Sequence, residues 1–126
     1  MASLPEGITL LIVEGNVILA LDVEDMLIRK GANRVDVVGS CEDALLTLHG
    51  SRYDAAVIDL NLPSGAPLVV AARLSELRIP FAFCANHGER AVPPEPYSAA
   101  LLIHTPCNEA YLTSMLMTLL DSPSSR

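Results

Sequence analysis

Two carboxylates sit where chain geometry could put them to chemical use. Asp59 closes the apolar run Ala55-Ala56-Val57-Ile58 and is followed by Leu60-Asn61-Leu62-Pro63-Ser64-Gly65. Glu14 closes a similar run, Thr9-Leu10-Leu11-Ile12-Val13, just ahead of Gly15 and Asn16. Apolar runs with no polar alternation read as strands buried on both faces, as in parallel α/β sheets. Open parallel sheets bind ligands in the crevice beyond the carboxyl ends of their strands, so Asp59 would stand at its mouth. Two acids there could hold a divalent cation, which takes oxygen ligands. The competing reading of Asp59 is a cap for the next helix.

The remaining reactive residue types give weaker signals. Cys41, Cys84 and Cys107 are odd in number and widely spaced, which fits neither a disulfide framework nor a zinc pattern, and they read as small buried hydrophobes. Cys107 precedes a helix start at Asn108, whose N-terminus could lower a thiol pKa. His49, His87 and His104 show no helical metal-binding pairing.

Positioning such groups needs a scaffold, and the chain has material for one. With 126 residues, 51% of them hydrophobic, it is the size of a single domain spanning 1–126, with a core over about 8–120 and a frayed tail at 121–126. A formal charge of -7 argues against nucleic acid as a partner, because neutralising phosphates takes Lys and Arg. No apolar stretch is long enough to span a bilayer, and the first residues lack the basic flank and cleavage site of a secretory signal. The expected location is the cytoplasm.

Strand and helix signals alternate along the sequence. Strands are expected at Thr9–Val13, Val35–Gly39, Asp54–Leu60, Pro80–Cys84 and Ala100–His104. Helices are expected from Asn16 to about Lys30, from Ser40 to before Gly50, from Pro67 to about Leu77, and from Asn108 on. Pro93, Pro94 and Pro96 remove backbone donors, so the fourth crossover should be irregular or very short. Five strands in this alternation predict an α/β, doubly wound, five-stranded parallel sheet of flavodoxin-like order 2-1-3-4-5, which sets strands one and three side by side. Glu14 and Asp59 then face one crevice.

These residues resemble the response-regulator receiver domain of two-component signalling, from Thr9 to Leu120. Leu11-Ile12-Val13-Glu14 and the helix beginning at Val17 are similar to the family's first strand, acidic turn and first helix. Val57-Ile58-Asp59-Leu60-Asn61-Leu62-Pro63-Ser64-Gly65 resembles its phosphoacceptor strand and loop. Ile79-Pro80-Phe81-Ala82-Phe83 looks like its fourth strand, and Thr105-Pro106 falls at its Lys-Pro pair. The resemblance implies a stand-alone phosphorelay module, a signalling protein rather than an enzyme, in which Asp59 accepts a phosphoryl group. It implies Mg2+ held by Glu14, Asp59 and the backbone carbonyl of Asn61. The implied partners are a histidine kinase or a downstream regulator, with a homodimer conceivable through the fifth strand and last helix, where Met117 and Leu120 lie beyond the helix's apolar stripe.

Departures from the family pattern fall on working positions. Gly15 replaces the carboxylate that ligates the metal directly, Ala85 the Thr or Ser that bonds the phosphoryl group, and Thr105 the lysine. Leu102 takes the place of the switching aromatic and Cys107 that of an aromatic after the proline. Losing one preorganised donor commonly costs about a hundredfold to a thousandfold in rate, so phosphorylation at the family's ordinary rate is not expected of such a pseudo-receiver. His87 is the candidate replacement donor. The alternative reading is a small divalent-cation-dependent enzyme or ligand-binding protein on the same fold, using Glu14, Asp59 and His87.

Overall fold

The computed structural model describes residues 3–63, 65–86 and 91–121. Its elements run β1 (Thr9–Val13), α1 (Val17–Arg29), β2 (Arg34–Val38), α2 (Cys41–Gly50), β3 (Ala55–Asp59), α3 (Ala66–Glu76), β4 (Phe81–Asn86), β5 (Leu102–Thr105) and α4 (Glu109–Leu120). The strands form one parallel sheet in the order β2-β1-β3-β4-β5, as the alternation of elements predicts.

Hydropathy tracks position in that sheet. All five residues of β3 are buried, and β1 is buried except at Thr9. β2, at an edge, carries Arg34 and Asp36, which pair with each other while Tyr53 donates to Asp36. Strand alternation sends successive side chains to opposite faces, giving two core layers. Leu10, Ile12, Ala55, Val57, Ala82, Cys84 and Ile103 face α1 and α4. Leu11, Val13, Ala56, Ile58 and Phe83 face α2 and α3.

Caps set the helix starts on the side of the sheet where the strands end. Asn16, Ser40 and Asn108 each accept, through the side chain, the backbone N–H three residues on, satisfying donors that a helix start leaves open. α3 begins differently. Gly65 precedes it with φ 87, a left-handed conformation open to glycine, and Pro67 occupies the first turn.

Strand ends differ from expectation by one or two residues, for reasons of hydrogen bonding. β5 starts at Leu102 rather than Ala100, because the Ala100 N–H is taken by the Tyr97 carbonyl in a turn. β4 continues to Asn86, opposite Thr105. β2 runs from Arg34 because the Ile8 carbonyl accepts from Asn33 and Arg34. The crossover between β4 and β5 has no helix among its described residues, as its prolines predict. Tyr97 lays its ring against Phe81 (centroids 5.4 Å apart) and Phe83 (6.4 Å) instead, covering the sheet face there. On α4 Met117 is exposed while Leu120 packs against the core, so only the former extends the helix's apolar surface outward. Among the described residues, no helix is long and apolar enough to cross a membrane.

Candidate functional site

Glu14, Asp59 and Cys84 top the same face of the sheet. Leu10, Ile12 and then Glu14 follow one alternation, Ala55, Val57 and Asp59 a second, and Ala82 and Cys84 a third. Register aligns their heights. Asp59 lies opposite Cys84 on the neighbouring strand, and the Glu14 N–H bonds the Val38 carbonyl just past the end of β1. One ligand atom from each of the three side chains falls within 4.8 Å of the others, and all three residues are buried.

Backbone amides hold the acids. Asn61 N–H donates to Asp59 Oδ1 at 2.8 Å, and Asn16 N–H donates to Glu14 Oε2 at 3.1 Å. Cys84 Sγ–H donates to Glu14 Oε1 at 3.7 Å. Among the described residues, no Lys or Arg forms an ion pair with Glu14 or Asp59. A second acid this close, with burial, favours the protonated form of Glu14. Burial, then the hydrogen bond to Asp59, push the Glu14 carboxyl up to about 7, with the Asp59 charge adding and the Asn16 N–H opposing. Burial and the same two acids push the Cys84 thiol up as well.

The other expected residues take quieter places. Gly15 is exposed, and a Cβ there would meet only Leu62 Cδ2 at 3.8 Å and the Gly39 carbonyl at 3.9 Å, so nothing steric bars a side chain. Ala85 is buried with no hydroxyl to offer. Thr105 turns its hydroxyl to the Ala85 carbonyl at 3.4 Å, so it binds β4 backbone rather than supplying a charge. Leu102 packs on the α3 side of the core. Asn61 enters the site through its amide. His87 lies outside the described residues. Cys107 packs against the core layer under α1 and α4, as a small hydrophobe would, and burial, with the Asp22 charge, raises its thiol pKa where a helix N-terminus could have lowered it.

Cys84 is the site residue that sequence reading missed. It sat inside an apolar run and passed as a core hydrophobe. The usable signal was parity and height: it shares a face with Ala82 and stands level with Asp59.

No protein-family model and no curated protein matches the sequence. Solved structures do. The receiver domain (CheY-like) of a response regulator from Methylobacillus flagellatus is 27% identical with a TM-score of 0.74, covering 90% of this chain and 99% of its own. SdrG from Pseudomonas melonis, in its BeF3-activated conformation, is 26% identical with a TM-score of 0.78, covering 93% and 99%. The receiver domain of the sensor histidine kinase PA1611 from Pseudomonas aeruginosa, with a magnesium ion coordinated in its active-site cleft, is 23% identical with a TM-score of 0.77, covering 92% and 99%.

Proposed function

From the premise that this chain is a receiver-like domain of the two-component type, we propose that it is a phosphorelay signalling module that works through protein contacts, with Asp59 as the candidate phosphoacceptor. One observation carries the reading. Asp59 ends the central strand of the sheet with a second acid, Glu14, beside it, while the family resemblance matches Gly15, Ala85 and Thr105 to the direct metal ligand, the hydroxyl and the lysine.

Chemically, a carboxylate oxygen of Asp59 would attack the phosphorus of a donor, forming an acyl phosphate as the donor's leaving group departs. The Asn61 N–H held at Oδ1 orients that carboxylate. Nothing among the described residues supplies a full positive charge to the developing phosphoryl oxygens, and that electrostatic stabilisation is the larger part of such catalysis. Among the described residues, a phosphorylated Asp59 would also lack the hydroxyl and lysine contacts that distinguish it from the resting state, and without differential contacts no equilibrium shifts. The resting conformation is therefore the form that partners read, whether a histidine kinase, a downstream regulator or a second copy docked through β5 and α4.

Magnesium fits this donor set poorly. It asks for about six oxygens in near-octahedral array. Here the directly ligating acid is a glycine, and a thiol stands 3.7 Å from one of the two remaining carboxylates.

The test is intact mass after incubation with magnesium and acetyl phosphate, for the wild type and Asp59→Asn, alongside partner capture with both. Slow or absent adduct formation, with partner binding that survives Asp59→Asn, is the expected result. Rapid, stoichiometric phosphorylation lost in Asp59→Asn, with partner binding that requires it, would overturn the phosphorylation-independent part.

A further inference from the structure

The mismatch with magnesium is informative about what the pocket does suit. Its donors are two carboxylates and a thiol, delivered by three adjacent strands to one buried spot. Sulfur is a soft ligand that favours zinc-class ions, whereas magnesium prefers oxygen throughout. We propose that this pocket takes a thiophilic divalent ion of the zinc class, held by Glu14, Asp59 and Cys84 with water as fourth ligand, and that the loaded ion withholds Asp59 from phosphoryl transfer. The second half rests on the reading of Asp59 as phosphoacceptor; the first half does not.

Geometry supports the ligand set. Zinc binds thiolate sulfur at about 2.3 Å and carboxylate oxygen at about 2.0–2.2 Å, so a tetrahedral site places S and O about 3.5 Å apart. Glu14 Oε1 and Cys84 Sγ are already 3.7 Å apart. The ligand atom of Asp59 lies within 4.8 Å of the other two, a gap that rotation of the carboxylate side chains would close on binding. The backbone bonds from Asn16 and Asn61 engage Glu14 Oε2 and Asp59 Oδ1, leaving Glu14 Oε1 and Asp59 Oδ2 as the oxygens to ligate. Such bonds to ligating carboxylates are the outer support that metal sites use.

Charge and protons balance. Two carboxylates and a thiolate carry three negative charges against the ion's two positive ones. On binding, the protons on Cys84 and Glu14 leave to water, the ligands being active only when deprotonated. Among the described residues no Lys or Arg pairs with these carboxylates, which suits this, because a resident cation would compete with the ion for them.

Cobalt(II) is the probe, since it occupies zinc sites and reports sulfur ligation by a thiolate-to-metal charge-transfer band in the near ultraviolet. The full chain, stripped with a chelator and dialysed, is titrated with cobalt, then with zinc, then separately with magnesium. Expected are one equivalent of cobalt with that band, its displacement by zinc, and zinc affinity at least about a thousandfold above that of magnesium. Cys84→Ser should abolish the band and weaken zinc by about tenfold or more, while Cys41→Ser and Cys107→Ser leave both unchanged. If Cys84→Ser does not fold, Glu14→Gln serves instead: it should weaken zinc by about tenfold or more with the band retained. No band, a band that survives Cys84→Ser or is lost with Cys41→Ser or Cys107→Ser, zinc affinity unmoved by Glu14→Gln, or magnesium bound as tightly as zinc would each overturn the proposal. An acyl phosphate on Asp59 in magnesium without any cobalt band removes this inference and leaves the signalling role standing. With acetyl phosphate, the stripped protein should form the Asp59 adduct at least about tenfold faster than the zinc-loaded one; equal rates, or no adduct in either, overturn the withholding of Asp59 and leave the metal site.

Discussion

Replacing Glu14 by Gln should flatten the pH dependence of stability in a defined window. Glu14 is only 7% exposed, and its carboxyl moves from an ordinary 4.5 to about 7 through burial, then the hydrogen bond to Asp59, then the Asp59 charge. A group that holds its proton more tightly when folded gives stability that is complete below the unfolded value of 4.5 and lost as pH rises through about 7. At about 1.4 kcal/mol per pH unit the loss is bounded near 3 kcal/mol. Relaxation of the site on ionisation brings the expected loss to about 1–3 kcal/mol. Gln keeps the shape, can donate to Asp59 where the Glu14 proton sat, and can accept from the Asn16 N–H, yet it never ionises. In chelator, urea unfolding followed by circular dichroism at pH 4.5 and pH 8 should give wild type and Glu14→Gln similar midpoints at the lower pH. At the higher pH the variant should be more stable by about 0.5–2 M urea. Acids other than Glu14 and its neighbour Asp59 keep their surroundings in both proteins, so their titration cancels in the difference. Parallel curves for the two proteins across that window would refute the proton held on Glu14.

Gly15→Asp should raise magnesium affinity by about tenfold or more, read by calorimetric titration, because it adds a carboxylate where a Cβ meets only ordinary contacts. In chelator the same change should lower the unfolding midpoint through repulsion with Asp59. Tyr97→Ala should cost about 1–3 kcal/mol in urea unfolding, since it removes the ring that covers Phe81 and Phe83. Leu46→Ala, at a side chain 73% exposed, should stay within about 0.5 kcal/mol in the same assay. Asn16→Ala, which removes the α1 cap bonded to the Leu19 N–H, should cost about 0.5–2 kcal/mol of stability with the magnesium response unchanged.

How far the sequence could be read depended on which interaction fixed each feature. The central strands announced themselves because burial on both faces demands unbroken apolar runs, and β1 and β3 are such runs. The strand order and the meeting of Glu14 with Asp59 followed from five alternating elements and the packing of parallel sheets. Strand ends are fixed instead by individual hydrogen bonds, such as the Tyr97 carbonyl taking the Ala100 N–H, which hydropathy does not encode. The prolines forbade a helix before β5 but did not say that Tyr97 would take over its covering role. Cys84 was hidden for a related reason. By composition it is equivalent to Ala82, two positions earlier on the same face, and only register separates them: Ala82 stands opposite Val57 inside the core, Cys84 opposite Asp59 at its edge. Register belongs to a pair of strands and not to either one. A thiol among hydrophobes therefore becomes a neighbour of two acids only once β3 and β4 are laid side by side.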